Sequence, residues 1–95
     1  MTATRAIVIH PADDVAVVVG DVPEGGVVEA QSSAGLRTIT ATQPIPTGHK
    51  IALRDVPSGS PLRKYGEKIG LALQDIRTGD HVHLHNLASD RVRVP

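Results

Sequence analysis

One short signature recurs four times along this chain and limits what it can become: an apolar residue, two further residues and a glycine, followed by a new extended segment. It reads Asp21-Val22-Pro23-Glu24-Gly25, Pro44-Ile45-Pro46-Thr47-Gly48, Asp55-Val56-Pro57-Ser58-Gly59 and Asp75-Ile76-Arg77-Thr78-Gly79. Proline presets φ at about −65° at the second turn position, and glycine accepts the positive φ on which many tight turns end. Each turn implies a restart. The spacings are uneven, so the pattern predicts one turn chemistry reused in a compact folded sheet rather than a solenoid of fixed period.

The segments between the turns read as strands. Ala6-Ile7-Val8-Ile9 is closed by His10-Pro11, where Pro11 lacks an amide donor and biases His10 to extended geometry. Behind Asp13-Asp14, residues 15–20 carry three consecutive valines, which favours strand over a capped helical turn. Residues 27–30, 37–41, 49–53 and 61–65 follow as further strands, with 31–36 a small polar loop, 66–70 a turn, and 71–74 a short strand or helical turn. With 95 residues the chain is one domain, 1–95, with a core at about 6–88 and a C-terminal tail from 89. There is no Phe or Trp and a single Tyr, so Val, Ile and Leu must build the core. Nine Gly and seven Pro punctuate short apolar runs, and the prediction is an all-β fold.

Ten basic and ten acidic residues cancel, and no Lys/Arg cluster stands apart from acidic neighbours. The electrostatic footprint of a nucleic-acid or anionic-membrane binder is therefore missing, as are the stacking aromatics of single-strand binders. Without cysteine there is no disulfide, thiolate metal site or cysteine nucleophile. No apolar run is long enough to span a membrane, so a soluble, cytoplasmic protein is expected.

The chemistry gathers in Gly79-Asp80-His81-Val82-His83-Leu84-His85-Asn86. As a strand this would put His81, His83 and His85 in one polar row and turn Val82 and Leu84 to the core. Row neighbours would sit about 6.6 Å apart at the backbone and the outer two about 13 Å. A pair of imidazoles can converge on one ion, but a straight strand cannot bring all three to it. Further candidates are His49-Lys50, directly after a Pro-x-Gly turn, and Lys64-Tyr65, Asp13-Asp14 and His10. Tyr65 also reads as the largest core plug available to an aromatic-poor domain. There is no Gly-x-Ser-x-Gly elbow, phosphate loop, His-Glu-x-x-His or dinucleotide fingerprint, so the chain is expected to contribute to a site that it does not complete alone.

These residues resemble the altronate and galactarate dehydratase family, in which an N-terminal SAF domain of β-clip fold precedes, or pairs as a small subunit with, a larger catalytic part. The matching pieces are Asp14-Val15-Ala16-Val17, Ile45-Pro46-Thr47-Gly48-His49-Lys50-Ile51-Ala52-Leu53, Lys64-Tyr65-Gly66, Ile69-Gly70 and the histidine segment, together spanning about residues 6 to 88. The family usually carries Asp-Asn where this chain has Asp13-Asp14. The position of His81 is variable in relatives, so the resemblance favours His83 and His85 as the functional pair. It implies elimination of water from a sugar acid such as altronate or galactarate, or of sulfite from sulfolactate. It also implies a divalent metal, commonly iron (Fe2+), and a larger catalytic dehydratase subunit as partner; self-association into a homo-oligomer stays open. By residue type, the expected catalytic set is His49, Lys50, Tyr65 and His85. Lys64 and Asn86 are expected to bind the hydroxy-acid substrate, and His83 and His85 to hold metal. The competing reading is a SAF module that binds substrate or a partner without taking part in catalysis.

Overall fold

A computed structural model describes residues 3–33 and 35–89. Among them there are nine strands and no helix: β1 (Thr4–Ile7), β2 (Val15–Val18), β3 (Val27–Ser32), β4 (Gly35–Thr40), β5 (Lys50–Ala52), β6 (Pro61–Lys64), β7 (Glu67–Ala72), β8 (His81–Val82) and β9 (Leu87–Ser89). The all-β expectation holds. A six-stranded sheet runs β4-β3-β1-β2-β5-β8 and a three-stranded one runs β6-β7-β9. No helix of the described residues is long and apolar enough to cross a membrane.

The four turn signatures close four turns of one kind. The amides of Gly26, His49, Ser60 and Asp80 donate to the carbonyls of Pro23, Pro46, Pro57 and Arg77 at 2.8–3.0 Å. Gly25, Gly48, Gly59 and Gly79 thus hold the third turn position, with φ of 79°, 84°, 82° and 94°, which is what a type II turn demands there. The prolines stand first in these turns, not second as the sequence reading placed them. The apolar residue of each signature points inward: Val22, Ile45, Val56 and Ile76 are buried and meet in the bridges Val22↔Ile45 and Val56↔Ile76.

Matching these turns exposes two related halves. Asp21 Oδ1 accepts hydrogen bonds from the amide and hydroxyl of Thr47 at 2.9 and 2.8 Å. Asp55 Oδ1 does the same for Thr78 at 2.8 and 3.0 Å. Gly25 donates to Ala41 as Gly59 does to Ala72, and Gly48 to Val18 as Gly79 does to Ala52. β2 and β5 form the seam, antiparallel with Ala16 opposite Ile51 and Val17 opposite Lys50. Each half keeps its own core, one containing Val18, Val28, Ile45 and Ile51, the other Val15, Leu62, Ile76 and Val82. Burying each of the larger side chains among these contributes roughly 1.5–3 kcal/mol, which is how the fold manages without large aromatics.

Several boundaries differ from the sequence reading. β3 continues to Ser32 and β4 begins at Gly35, so most of 31–36 is strand, not loop. Residues 67–72 form β7, so 66–70 is not a turn and 71–72 belong to a strand. The reversal lies at Tyr65-Gly66, because Lys64 pairs with Glu67. Both turn residues have positive φ, 58° and 74°, as a two-residue type I′ hairpin requires. Tyr65 is 55% exposed and therefore not a core plug. β9 pairs with β7 beyond the point where the sequence signal fades. The tail expected from residue 89 thus begins inside β9, and residues 90–95 lie outside the described residues.

Candidate functional site

The histidine segment is only half strand. β8 ends at Val82, and residues 83–86 turn back on themselves, the Asn86 amide donating to the His83 carbonyl at 3.1 Å. The cause is Asn86, which is 2% exposed. Its Oδ1 accepts from the His83 amide at 2.9 Å and its Nδ2 donates to the His81 carbonyl at 2.8 Å. Those backbone groups are the ones a longer strand would offer to a neighbour, so the side chain ends the strand by occupying them. Leu84, expected in the core, is 78% exposed at the tip of this turn, whereas Val82 is fully buried as expected. Asn86, read from sequence as a substrate ligand, has both ends of its side chain committed to the turn.

Alternation survives far enough to place His81 and His83 together. Their rings lie 10° from parallel with centroids 5.6 Å apart. His49 joins them from the next strand, because β5 and β8 pair antiparallel with Ile51 opposite His81 and Lys50 opposite Val82. Its ring stacks on His83 at 4.2 Å and on His81 at 5.0 Å, and its Nδ1 lies 2.8 Å from His81 Nε2. One ring nitrogen from each of His49, His81 and His83 lies within 4.8 Å of the others, a donor group of the size one ion can bridge. His85, expected as a metal ligand with His83, falls outside this group. The turn carries its exposed ring against His81, tilted by 41° at 5.3 Å. Loss of solvation, then the nearby His49, lowers the pKa of His81; loss of solvation, then His49 and Lys50, lowers that of His83.

Beside the histidines, Lys50, Lys64, Tyr65 and His83 line one cleft of about 320 Å³, whose remaining wall is Ile69, Leu84 and Leu87. Among the described residues no acidic side chain lines it. The Lys64 ammonium sits 4.5 Å from the centre of the Tyr65 ring, a cation–π contact. Lys50 is partly desolvated and faces Lys64, and both effects lower its pKa, in that order. Two ammonium groups, an imidazole and a phenol over an apolar floor suit a small hydroxylated anion. A larger cleft of about 650 Å³ on the other half is lined by Arg5, Ile7, Val19, Glu29, Gln31 and Leu36 among others and holds no comparable set.

Sequence reasoning named Asp13-Asp14 without seeing what the pair does. Both carboxylates are buried. Asp13 accepts from the Gly66 amide at 2.8 Å and from the His10 amide at 3.2 Å. Asp14 accepts from the Arg63 amide at 2.8 Å and pairs with Arg54 Nε at 3.0 Å. Together they fasten the β6–β7 hairpin, and with it Lys64 and Tyr65, to the start of β2 and to the C-terminal end of β5, where the Leu53 amide donates to the Asp14 carbonyl at 2.8 Å. Arg54, which no motif pointed to, completes this clamp by donating to the Asp13 carbonyl at 3.2 Å. Its sequence signal is faint: a basic residue before the third turn.

The family model of the altronate/galactarate dehydratase SAF domain matches residues 4–90. The chain belongs to that family. It is 45% identical over 80 residues to altronate dehydratase from Escherichia coli (strain K12), an alignment covering 84% of this chain but 15% of that protein. It is 40% identical over 91 residues to the (2R)-sulfolactate sulfo-lyase subunit alpha from Chromohalobacter salexigens, covering 88% of this chain and 94% of that subunit. Galactarate dehydratase (L-threo-forming) from Escherichia coli (strain K12) is 37% identical over 76 residues, again with 14% of that protein covered. The SAF domain described here thus corresponds to a small piece of the two dehydratases and to nearly the whole of the sulfo-lyase subunit.

Proposed function

We propose that this SAF domain is the small component of a two-part, cytoplasmic lyase that eliminates water from a sugar acid such as altronate or galactarate, or sulfite from sulfolactate. The observation that carries the reading is the cleft in which Lys50, Lys64, Tyr65 and His83 converge, with no acidic side chain among the described residues that line it. Elimination next to a carboxylate breaks a C–H and a C–O or C–S bond, and the resulting enol relaxes to a keto acid. It needs a base for the proton α to the carboxylate, a positive environment for the charge that develops, and an acid at the leaving group. Lys64 and Lys50 hold the carboxylate and stabilise the enolate-like charge. The phenol of Tyr65 donates to a substrate hydroxyl. The imidazoles of His83 and His49 stand near enough to move protons, and loss of solvation lowers the pKa of His83. A divalent metal, iron by the family resemblance, would supply Lewis-acid stabilisation of substrate oxygens; the imidazole cluster is the donor set that fits one, because its members are neutral nitrogen donors within reach of a common point.

A shallow cleft with an exposed Leu84 at its rim leaves room for a larger lyase chain to close it. The test assays the 95-residue chain, the larger chain and their mixture on altronate, galactarate and sulfolactate with ferrous iron. Turnover is expected in the mixture alone, and Lys64→Met is expected to lower kcat/KM by about 10²-fold. Turnover by the 95-residue chain alone would overturn the two-part reading. Full activity of the larger chain alone would instead make this domain a non-catalytic binding module.

A further inference from the structure

We infer that His49, His81 and His83 form a divalent-metal centre carried by this chain itself, with His85 outside its ligand set. The inference deepens the reading above by giving the metal an address, but it stands on geometry that no reaction needs to confirm. Three ring nitrogens, one from each residue, lie within 4.8 Å of one another. A tetrahedral ion bound at roughly 2.0–2.1 Å needs its nitrogen ligands about 3.3 Å apart. His49 Nδ1 and His81 Nε2 are at 2.8 Å, so small ring rotations in both directions bring all three nitrogens onto one ion.

Backbone contacts fix these residues whether or not an ion is present. The His49 amide donates to Pro46 and its carbonyl accepts from Val18. The His81 amide donates to Gln43 Oε1 at 3.1 Å and its carbonyl accepts from Asn86 Nδ2. The His83 amide donates to Asn86 Oδ1. One buried asparagine therefore holds two of the three imidazole-bearing residues, and the type II turn before β5 holds the third. A set whose backbone is ordered in advance loses little further freedom on binding. His85 lies in the turn beyond β8, its ring tilted by 41° against that of His81, and it is not one of the three residues whose ring nitrogens share the common point.

The donor chemistry selects the ion. Three imidazoles and no carboxylate suit zinc, cobalt, nickel, copper or ferrous iron and give magnesium or calcium nothing hard to bind. Three protein ligands also leave a coordination position over, the hallmark of a site that takes up a water or a substrate oxygen rather than a purely structural one. His83 lines the cleft with Lys50 and Tyr65, so an ion in this group borders the space proposed for substrate.

The experiment titrates the metal-free 95-residue chain with Co2+, following the visible bands of four-coordinate cobalt, and then displaces cobalt with Zn2+. Saturation at one equivalent is expected, with no competition from excess Mg2+. His49→Ala, His81→Ala and His83→Ala are each expected to weaken binding by at least about 10-fold, while His85→Ala binds as the parent does. Amide-proton spectra of every variant establish that it is folded, and His→Gln replacements stand in for any alanine variant that is not. Absence of one-equivalent binding, unchanged affinity in folded variants of the triad, or loss on His85→Ala would each overturn the proposal. Metal bound as expected by a chain whose mixture with the larger subunit is inactive would count against the lyase reading alone.

Discussion

The carboxylate of Asp13 and the amide of Gly66, 53 residues apart in the chain, are joined by a hydrogen bond of 2.8 Å. Because Asp13 is buried, its second oxygen is also taken, by the His10 amide, and the His10 ring packs 3.0 Å from where a side chain on Gly66 would begin. The Lys64-Tyr65-Gly66 turn is thereby set in place from the opposite half of the molecule. Asp13→Ala leaves two backbone donors without partners and is expected to cost about 1–3 kcal/mol in urea denaturation. Amide shifts of Lys64 and Tyr65 should move with it. Unchanged stability would show that water replaces the carboxylate at no cost.

Tyr65 occupies the left-handed region at φ 58°, a conformation that disfavours bulky side chains by roughly 1–2 kcal/mol. A type I′ turn prefers Asn-Gly at this place, and Tyr65 is too exposed to repay the strain by burial. Tyr65→Asn is therefore expected to raise stability by about 1 kcal/mol while weakening substrate binding by the subunit pair, since it removes the cation–π partner of Lys64 and the phenol of the cleft. A calorimetric melt and a KM measurement check the two halves of this statement. Lower stability together with unaltered KM would refute it.

The exposed carboxylates of Asp21 and Asp55 are held below their ordinary pKa of 3.8, chiefly by the amides and then the hydroxyls of Thr47 and Thr78. The sign follows from the depression: in the acid range the unfolded chain binds more protons than the folded one, so stability rises with pH. Their contribution is complete above about pH 4 and fades as pH falls through the lowered folded values. Denaturation midpoints from pH 2 to 6 should fall at the acid end, with a smaller fall in Asp21→Ala and Asp55→Ala, which begin from a lower midpoint. An unchanged acid slope in both variants would place the effect elsewhere.

The turn framework was legible because glycine after a buried aliphatic residue reports a local backbone need, and all four turns formed where the signature stood. Pairing between halves was not legible. Tyr at the first place of the β6–β7 turn hid that hairpin, since the usual signal there is Asn or Gly, and the strand that follows was read as a turn. Alternation in 81–85 persisted into a turn because nothing in periodicity reports that Asn86 folds its side chain back onto the backbone. Lys50, Lys64, Tyr65 and His83 were named from sequence, but the company of His49 with His81 depends on the register of β5 against β8, which belongs to tertiary structure. Family variability at position 81 pointed away from a residue that the fold puts at the centre of the cluster.

The staple from Asp21 to Thr47 and its counterpart from Asp55 to Thr78 make the molecule its own control. Each is the same three-atom contact, an Oδ1 receiving an amide and a hydroxyl, on the surface of its own half. A change made in one copy leaves the other as an internal reference under identical solvent, temperature and concentration. Hydrogen exchange on such a pair of variants can separate what the staple does locally from what it does for the whole. The first copy leads through Gly48 to His49 and the second through Gly79 to His81, so comparing the two variants separates what each carboxylate contributes to the order of the imidazole it precedes.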